Sequence, residues 1–409
     1  MKNLFAKWTS VSLVLRILVG LVIGAILGVA IPTVTGISIL GSVFVGALKA
    51  VAPVLVFVLV LSALANANGS IGSRFSMVIG LYMLTTLLAS LVAVIGSKLF
   101  PITLVLSGVD AATNTAPGGI AEVLSNLFTS MVENPISAIS NANYIAILFW
   151  AVIFGAGVRG LCSEGTRAML QEVSDVVSQA VRWVIELAPL GILGLVFTTV
   201  STNGLEIFTS YGKLLVLLVG CMFFMALVVS PAIVALLLRR NPYPLVFRCL
   251  CESGITAFFT RSSAANIPVN MKLCEKLGLD KDLYSVSIPL GATINMDGAA
   301  ITIAVMSLAA ANTLGIHVDL PTALILCVLA TLSACGASGV AGGSLLLIPM
   351  ACSLFGISND IAMQVVGVGF IIGVVQDSVE TALNSSGDVV FAATAEFYDR
   401  RKRGEEFHF

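Results

Sequence analysis

Charged residues are scarce in this chain. Only 11% of its 409 residues are Asp, Glu, Lys or Arg, whereas soluble domains carry about 25%. Hydrophobic residues make up 58% of the sequence, and the mean hydropathy is +1.04. The composition excludes an ordinary water-soluble domain. It predicts an all-α polytopic membrane protein.

Cysteine pairs and active-site histidines are missing as well. The eight cysteines are scattered through mainly apolar sequence without a CxxC pair. This pattern predicts reduced, buried thiols rather than a disulfide framework or a zinc site. The two histidines, His317 and His408, fall in a loop and in the C-terminal tail, so serine hydrolysis is poorly supported. No cofactor and no nucleic-acid partner is expected.

Six apolar segments are long enough to cross a bilayer, since a membrane-spanning helix needs about 20 mainly apolar residues. The first exceeds a signal-peptide core and is interpreted as a retained span. Basic residues cluster in alternate loops, which predicts that both termini are cytoplasmic. The amphipathic segment Arg159–Arg182 predicts a surface helix before the fifth span. The predicted spans are Val11–Ile31, Ile39–Ala65, Phe75–Phe100, Tyr144–Val158, Val181–Val200 and Leu214–Leu238.

Two later apolar segments are interrupted by polar or glycine-rich stretches. Pro244–Leu273 contains TRSSAANIP, and Pro321–Phe355 contains SACGASGVAGGS. Non-helical backbone at membrane depth is tolerated only where it lines a cavity or is buried in protein. Paired broken segments also indicate the binding site of a secondary transporter. We therefore predict two re-entrant helical hairpins that enter from opposite sides. Two kinked spanning helices are the alternative.

Between these segments, the apolar span Leu283–Leu314 is broken by the sequence GATINMDG. Asn295, Asp297 and two glycines in the middle of a span favour a locally unwound helix. Its freed carbonyl oxygens, with the amide and carboxylate oxygens, suit a hard cation such as sodium. The alternative is a polar kink whose groups are satisfied by neighbouring helices.

The last apolar region carries a stripe of polar side chains. Carboxylates within a membrane mark functional sites, and bound cations or an amine are the natural source of compensating positive charge. A shorter stripe in the third span consists of Tyr82, Thr85 and Thr86, although threonines in an apolar helix also bond their own backbone. At helical spacing, the polar positions of the last region share one face: Asp377, Glu380, Thr381, Asn384 and Asp388.

These motifs resemble those of the dicarboxylate/amino acid:cation symporters, the family that includes the glutamate transporters. NMDG at 295–298 matches the broken-helix motif of that family, and RSS at 261–263 matches its first hairpin tip. GASGVAGG at 336–343 is similar to the second tip, with Ala341 where the family often has proline. The last span matches at Asp377, Thr381, Asn384 and Asp388. The resemblance covers the whole chain and implies eight transmembrane helices plus two re-entrant hairpins, in a homotrimer.

The resemblance also implies an organisation and a site. Residues 1–240 are expected to form mainly scaffold and trimerisation spans, with spans 3 and 6 as candidates for the transport unit. Residues 241–398 are expected to form the transport core, and 399–409 a cytoplasmic tail. Asp377 is expected to hold a substrate ammonium, and Asn384 with the first tip its α-carboxylate. The implied substrate-binding residues are Ser262, Ser263, Val340, Gly342, Asp377, Glu380, Thr381 and Asn384.

Three sodium sites follow from the same resemblance. The first two share Asn295 and draw on the broken span, the last span and the third span. The third lies under the second hairpin and depends mainly on backbone oxygens. The implied ligands are Gly291, Asn295 and Asp388 for the first; Tyr82, Thr85, Thr86, Asn295 and Asp297 for the second; and Thr293, Ala334, Cys335 and Ala337 for the third.

One departure from the family bears on the substrate. Members that carry acidic substrates have an arginine directly before the threonine of the last-span pattern, where it binds the substrate's side-chain carboxylate. Here that residue is Glu380, which would repel aspartate or glutamate. The pattern resembles the bacterial serine/threonine:sodium symporter branch, and it implies sodium-coupled import of small neutral amino acids across the inner membrane. Pairing with Arg261, which only preserves neutrality, is the alternative role for Glu380.

Other functions remain open from the residues alone. A symporter of acidic amino acids or dicarboxylates, coupled to sodium or protons, is one alternative. A proton-coupled symporter or a channel is another, although titrating carboxylates alone do not require Asn295. An intramembrane aspartyl protease would use Asp297 and Asp377. That hypothesis leaves Asn384, Asp388 and the two hairpins unexplained.

Overall fold

A computed structural model describes most of the chain, namely residues 11–66, 73–106, 125, 128–337 and 342–407. Within these ranges, all regular secondary structure is helical. The helices of the first part are α1 (Leu13–Ala30), α2 (Ser38–Ala65), α3 (Ser73–Leu99), α4 (Pro135–Asn141), α5 (Tyr144–Leu161), α6 (Glu164–Glu186), α7 (Ala188–Asn203), α8 (Ile207–Phe224) and α9 (Ser230–Leu238). A π-helical segment, Met225–Val229, joins α8 to α9.

The second part contains shorter, interrupted helices and one very long one. A π-helical segment, Leu250–Gly254, follows α10, and a 3₁₀ segment, Gly343–Leu347, precedes α16. The helices are α10 (Tyr243–Cys249), α11 (Ile255–Thr260), α12 (Ser263–Lys276), α13 (Lys281–Ile294), α14 (Asp297–Thr313), α15 (Leu320–Ala334), α16 (Ile348–Ser353) and α17 (Asn359–Lys402).

Several of these helices are suited to cross a membrane. By length and composition, 6 helices in the described part of the chain qualify, or 7 if α6 and α7 count as one bent span. The helices α13 and α14 qualify together as one broken span. The protein is therefore a multi-pass helical membrane protein, as its composition predicts.

The predicted fifth span, Val181–Val200, contains a bend near its start. The amphipathic helix α6 continues to Glu186, and α7 begins at Ala188 after a bend of 51°. Pro189 lies in the first turn of α7, where its missing N–H is tolerated, but it cannot continue α6 because it cannot donate to residue 185. The first six residues assigned to the span therefore belong to the amphipathic helix.

The helices of the first part pack closely through glycines. A Cβ atom added to Gly24 of α1 would lie 2.5 Å from the carbonyl oxygen of Leu193 on α7. One added to Gly194 would lie 2.3 Å from the backbone nitrogen of Gly41 on α2. Small residues at these contacts let helix backbones approach, which is how helices associate where lipid removes most of the hydrophobic driving force. The helices α1, α2 and α7 therefore form one tightly packed group.

The broken span lies at the centre of the second part. Every residue of α14 from Asp297 to Ala311 is buried. A helix that is apolar on all sides is stable only inside a protein or a membrane. It packs against α3, α15 and α17, so the break before it is enclosed by other helices.

Both interrupted segments reverse their direction. The side chains of Ser253 and Asn266 are joined by a hydrogen bond of 3.0 Å, although a continuous helix would separate them by about 20 Å at 1.5 Å per residue. In the second segment, the Ser333 hydroxyl lies 3.0 Å from the sulfur of Met350, 17 residues further on. Each segment therefore folds back on itself as a helical hairpin, which a single kinked spanning helix does not do.

Candidate functional site

The polar stripe predicted from the sequence lies on α17, and the structure surrounds it with other elements. Asp377, Glu380, Thr381, Asn384 and Asp388 are all buried, with side chains at most 6% exposed. Because the helix is continuous through the stripe, it presents these groups at fixed spacing. The tips of both hairpins, the break between α13 and α14, and helix α3 supply their partners.

Asp377 joins the two hairpin tips. Its Oδ2 accepts a hydrogen bond of 2.6 Å from Nε of Arg261 at the first tip, and its Oδ1 accepts one of 3.0 Å from the backbone N–H of Gly342 at the second. Arg261 has a φ of 52°, a left-handed conformation that is uncommon outside glycine. The backbone of the first tip thus turns sharply at the residue whose guanidinium reaches Asp377.

Glu380 is held by three neutral donors. Its Oε2 accepts hydrogen bonds from the hydroxyls of Thr302 (2.8 Å) and Ser344 (2.9 Å) and from Nε2 of Gln376 (2.5 Å). The alternative interpretation, a pair between Glu380 and Arg261, is wrong because the guanidinium of Arg261 pairs with Asp377 instead. Among the described residues, no basic side chain pairs with this carboxyl group.

The other proposed substrate residues lie around this centre. The amide oxygen of Asn384 accepts a hydrogen bond of 2.7 Å from the backbone N–H of Gly298 and so occupies the start of α14. The Thr381 hydroxyl donates to the carbonyl oxygen of Asp377 within its own helix. Ser262 caps α12 by accepting from the N–H of Ala265, and Ser263 is buried. Val340 lies outside the described residues.

The first predicted sodium set is assembled by the structure. The amide nitrogen of Asn295 donates to Oδ1 of Asp388 at 3.0 Å. The other carboxylate oxygen, Oδ2, is buried and accepts no hydrogen bond from any described residue. Gly291 lies against the same carboxylate. A buried carboxylate oxygen without a hydrogen-bond donor is costly unless a cation or a proton binds it, and the oxygen ligands gathered here suit sodium.

Replacing Gly291 with alanine is expected to weaken sodium binding. The added Cβ would lie 2.7 Å from Oδ1 of Asp388 and 2.9 Å from the hydroxyl oxygen of Tyr82. Because both neighbours are buried, we expect the sodium concentration for half-maximal uptake to rise about tenfold. Gly212→Ala is the matched control, since its Cβ would meet nothing within 4 Å. Equal sodium dependence in the two variants would show that Gly291 does not adjoin an ion site.

The second predicted set lies directly beside the first. The Thr86 hydroxyl donates to Oδ1 of Asp297 at 3.1 Å, and the Thr85 hydroxyl lies 3.5 Å from the amide oxygen of Asn295. Both hydroxyls also bond carbonyl oxygens of their own helix, as threonines in an apolar helix commonly do. The Tyr82 hydroxyl donates to the carbonyl oxygen of Asp388 at 2.9 Å and joins the two sets.

The third set is assembled only in part. The sulfur of Cys335 lies 3.6 Å from the carbonyl oxygen of Ile294, which places the end of α15 beside the end of α13. Ala334 and Ala337 are buried there. Thr293, however, is exposed, and its hydroxyl donates to the carbonyl oxygen of Leu290 in its own helix.

A polar cluster that the sequence analysis missed fixes the first hairpin to α17. Nδ2 of Asn266 donates to the hydroxyls of Ser385 (2.7 Å) and Ser253 (3.0 Å), and Nδ2 of Asn270 donates to the backbone carbonyl of Ser385 (2.9 Å). All four side chains are fully buried. We call these four residues the Asn266 cluster. The spacing of the two asparagines, i and i+4 on one helix face, is the signal that could have indicated it.

Removing the centre of the Asn266 cluster is expected to destabilise the protein. Asn266→Ala removes one hydrogen bond from each of two buried hydroxyls, which both keep a bond to Asn270. Each lost bond costs about 0.5–1.5 kcal/mol. We expect a lower thermal unfolding temperature in detergent together with slower uptake. Asn203→Ala, at an exposed position in the last turn of α7, is the control and should match the wild type. An unchanged melting temperature in Asn266→Ala would contradict a structural role for the cluster.

Carboxyl groups outnumber basic groups at the site. Four carboxyl groups are buried around it, those of Asp297, Asp377, Glu380 and Asp388. Among the described residues, Arg261 is the one basic side chain in contact with them. Buried charges are stable only when they are paired. Such a centre suits cationic ligands, which would compensate its carboxylates when bound.

A multi-pass helical protein with a buried charged centre between two hairpin tips belongs to the class of secondary transporters. The comparison with known proteins supports this assignment. The model of the sodium:dicarboxylate symporter family matches residues 13–396, and the chain belongs to this family. Membership confirms the resemblance inferred from the motifs, and it confirms a transporter rather than an enzyme.

Similar proteins carry a more specific name. A protein of Bifidobacterium adolescentis named serine/threonine transporter SstT is 62% identical over 399 residues, which cover 98% of this chain and 93% of the relative. A protein of the same name from Streptococcus agalactiae serotype III is 59% identical over 396 residues, covering 97% and 98% of the two chains.

Proposed function

We propose that the protein is a sodium-coupled symporter that imports serine and threonine across the bacterial inner membrane. The observation that carries this proposal is the set of side chains that surround Glu380. A carboxylate bound by hydroxyl and amide donors replaces the arginine that acidic substrates require. The names of the similar proteins agree with this substrate class.

The substrate is proposed to bind between the hairpin tips. Its ammonium group takes the place of a present donor to Asp377, either Arg261 or the N–H of Gly342. Its α-carboxylate binds near Asn384, where the N-terminus of α14 favours negative charge. Its side-chain hydroxyl donates to Glu380. Ser344, on the second hairpin, also donates a hydrogen bond to Glu380. In this arrangement that bond depends on whether the site holds a substrate.

Bound sodium is proposed to raise the affinity for the substrate by ordering the backbone at the start of α14. Asn295 and Asp297 flank the break between α13 and α14, so ions bound there fix the start of α14. Asn384 accepts from the backbone at that same start. A cation that stabilises the closed arrangement therefore raises the affinity for the amino acid, and the amino acid raises the affinity for the cation by the same factor.

Transport is proposed to proceed by alternating access. Eight membrane-crossing helices correspond to α1, α2, α3, α5, α6 with α7, α8 with α9, α13 with α14, and α17. The two hairpins are re-entrant and gate the site from opposite sides. The transport unit includes α3, since Thr86 bonds Asp297 and the Ser90 hydroxyl donates to the carbonyl of Cys327 on α15. It also includes α8 and α9, which pack on α17.

The rest of the first part is proposed to form the scaffold of a homotrimer with both termini cytoplasmic. In this structure the scaffold contacts the side of the second hairpin. The rings of Phe44 on α2 and Phe370 on α17 lie 5.3 Å apart, and a Cβ added to Gly336 would lie 2.6 Å from Val60. Movement of the transport unit would exchange these contacts for others.

Competition for uptake tests the substrate assignment. The protein is reconstituted into liposomes with an inward sodium gradient, and uptake of labelled serine is measured with excess threonine or excess aspartate. Inhibition by threonine but not by aspartate is expected. Inhibition by aspartate would keep the family and overturn the substrate, in favour of acidic amino acids or dicarboxylates.

A further inference from the structure

A groove with apolar walls lies on the side of α17 away from the polar stripe. Its volume is about 400 Å³, within the size range of ligand pockets in proteins. Its walls come from α8 and the π segment after it, from the first arm of the first hairpin, and from α17. The residues that line it include Met222, Phe223, Ala226, Leu250, Phe259 and Ala382.

Both π-helical segments within the described residues contribute to this groove. Ala226 belongs to the segment Met225–Val229, and Leu250 belongs to the segment Leu250–Gly254. The first segment is explained by Pro231, which cannot donate to residue 227. No proline follows the second at a comparable position. Single π turns occur frequently at functional sites, and here two of them form facing walls.

The groove opens on a surface suited to lipid. At its edge, Phe223 is 53% exposed, Ile255 is 55% exposed and Phe259 is 77% exposed. Water gains no hydrogen bonds from such walls. In a protein that crosses the bilayer, the natural occupant is a flexible apolar chain that reaches the groove sideways from the membrane.

One end of the groove carries groups that suit a lipid headgroup. The Tyr243 hydroxyl donates to the carbonyl oxygen of Leu227 at 3.2 Å and bridges α10 to the π segment. The short connection before Tyr243 contains Arg239, whose side chain is exposed, and basic residues beside a membrane helix attract lipid phosphates. The neighbouring Arg240 is held by Phe407, whose carbonyl oxygen accepts its hydrogen bond and whose ring lies under its guanidinium. We propose that one acyl chain of a membrane phospholipid binds in this groove, with its headgroup at the end marked by Tyr243.

The bound chain would act on the transport site through α17. Val379, Ala382 and Leu383 line the groove, and they alternate along the helix with Glu380, Thr381 and Asn384 on the site face. The acyl chain of the lipid fills the space between α8 and the first arm of the first hairpin. It therefore supports that arm against α17 on the side away from the polar stripe. This inference concerns lipid alone and does not depend on which amino acid is transported.

A photoactivatable phospholipid tests the proposal. The full protein is reconstituted in phosphatidylglycerol vesicles that contain a trace of phosphatidylglycerol with a diazirine in its acyl chain, and labelled peptides are identified after illumination. We expect label concentrated on peptides that contain Met222–Ala226 and Leu250–Phe259. Ala226→Trp fills the groove and should lose this label. Leu236 lies on α9, and its side chain is 78% exposed. Leu236→Trp is therefore the matched control and should keep the label.

A second measurement does not depend on the variants. In the wild type, labelling of a specific groove saturates as the mole fraction of the probe rises, whereas labelling by bulk lipid rises in proportion to it. Saturable labelling of the groove peptides supports the proposal. Proportional labelling, equal labelling of all lipid-facing helices, or cross-links from these peptides to a second copy of the chain would each overturn it.

Discussion

Serine uptake is expected to fall about 100-fold when Glu380 is replaced by arginine. The substitution removes a charged acceptor of three hydrogen bonds and places a second cation near Arg261. A hydrogen bond to a charged group is worth about 1.5–3 kcal/mol, which corresponds to about 10- to 100-fold in affinity, and the repulsion adds to it. The new guanidinium should instead attract the side-chain carboxylate of aspartate.

Glu380→Gln removes the charge of the side chain at position 380 but keeps its shape. Glutamine can still accept from Thr302 and Ser344, so we expect serine uptake within about tenfold of the wild type. Aspartate should remain a poor competitor, because no cation has been added. Uptake is measured with labelled serine and labelled aspartate for both variants. Unchanged serine uptake in Glu380→Arg would contradict the role proposed for Glu380.

Replacing Asp377 with asparagine is expected to abolish measurable uptake. The carboxylate pairs with Arg261 across the two tips and is proposed to hold the substrate ammonium. Removing one partner of a buried, hydrogen-bonded charge pair costs a binding interaction about 2–5 kcal/mol, which corresponds to about 30- to 5,000-fold in affinity. Serine binding to the purified protein in the presence of sodium is the direct measurement.

The control for Asp377 lies on the same helix. Asp360 lies in the first turn of α17 and forms an ion pair with Lys49, but its side chain is 80% exposed. Exposed pairs of this kind contribute about 0–1 kcal/mol, so Asp360→Asn should bind serine almost as the wild type does. Equal binding by the two variants would remove Asp377 from the proposed site.

The sequence predicted the site best where one helix determines the geometry. The spacing of Asp377, Glu380, Asn384 and Asp388 follows from the helical repeat, and the structure shows these residues on one continuous helix. The break at Asn295 was predictable too, because glycine and polar residues in the middle of an apolar span disfavour a continuous helix. These features depend on local sequence, which periodicity describes well.

Contacts between distant elements could not be predicted from periodicity. Thr302 and Ser344 reach Glu380 from 78 and 36 residues away, and nothing in their own surroundings marks them. Arg261 pairs with Asp377 rather than Glu380, across 116 residues of sequence. Such partners are set by how helices pack, and the sequence alone leaves several pairings open.

The central claim is that sodium supplies the charge that this site lacks. The most direct test is uptake of labelled serine into proteoliposomes, first with an inward sodium gradient and then with a proton gradient and no sodium. Our account predicts uptake only with sodium, and a strong loss of that uptake in Asn295→Ala. Uptake driven by protons alone, with Asn295→Ala as active as the wild type, would contradict it.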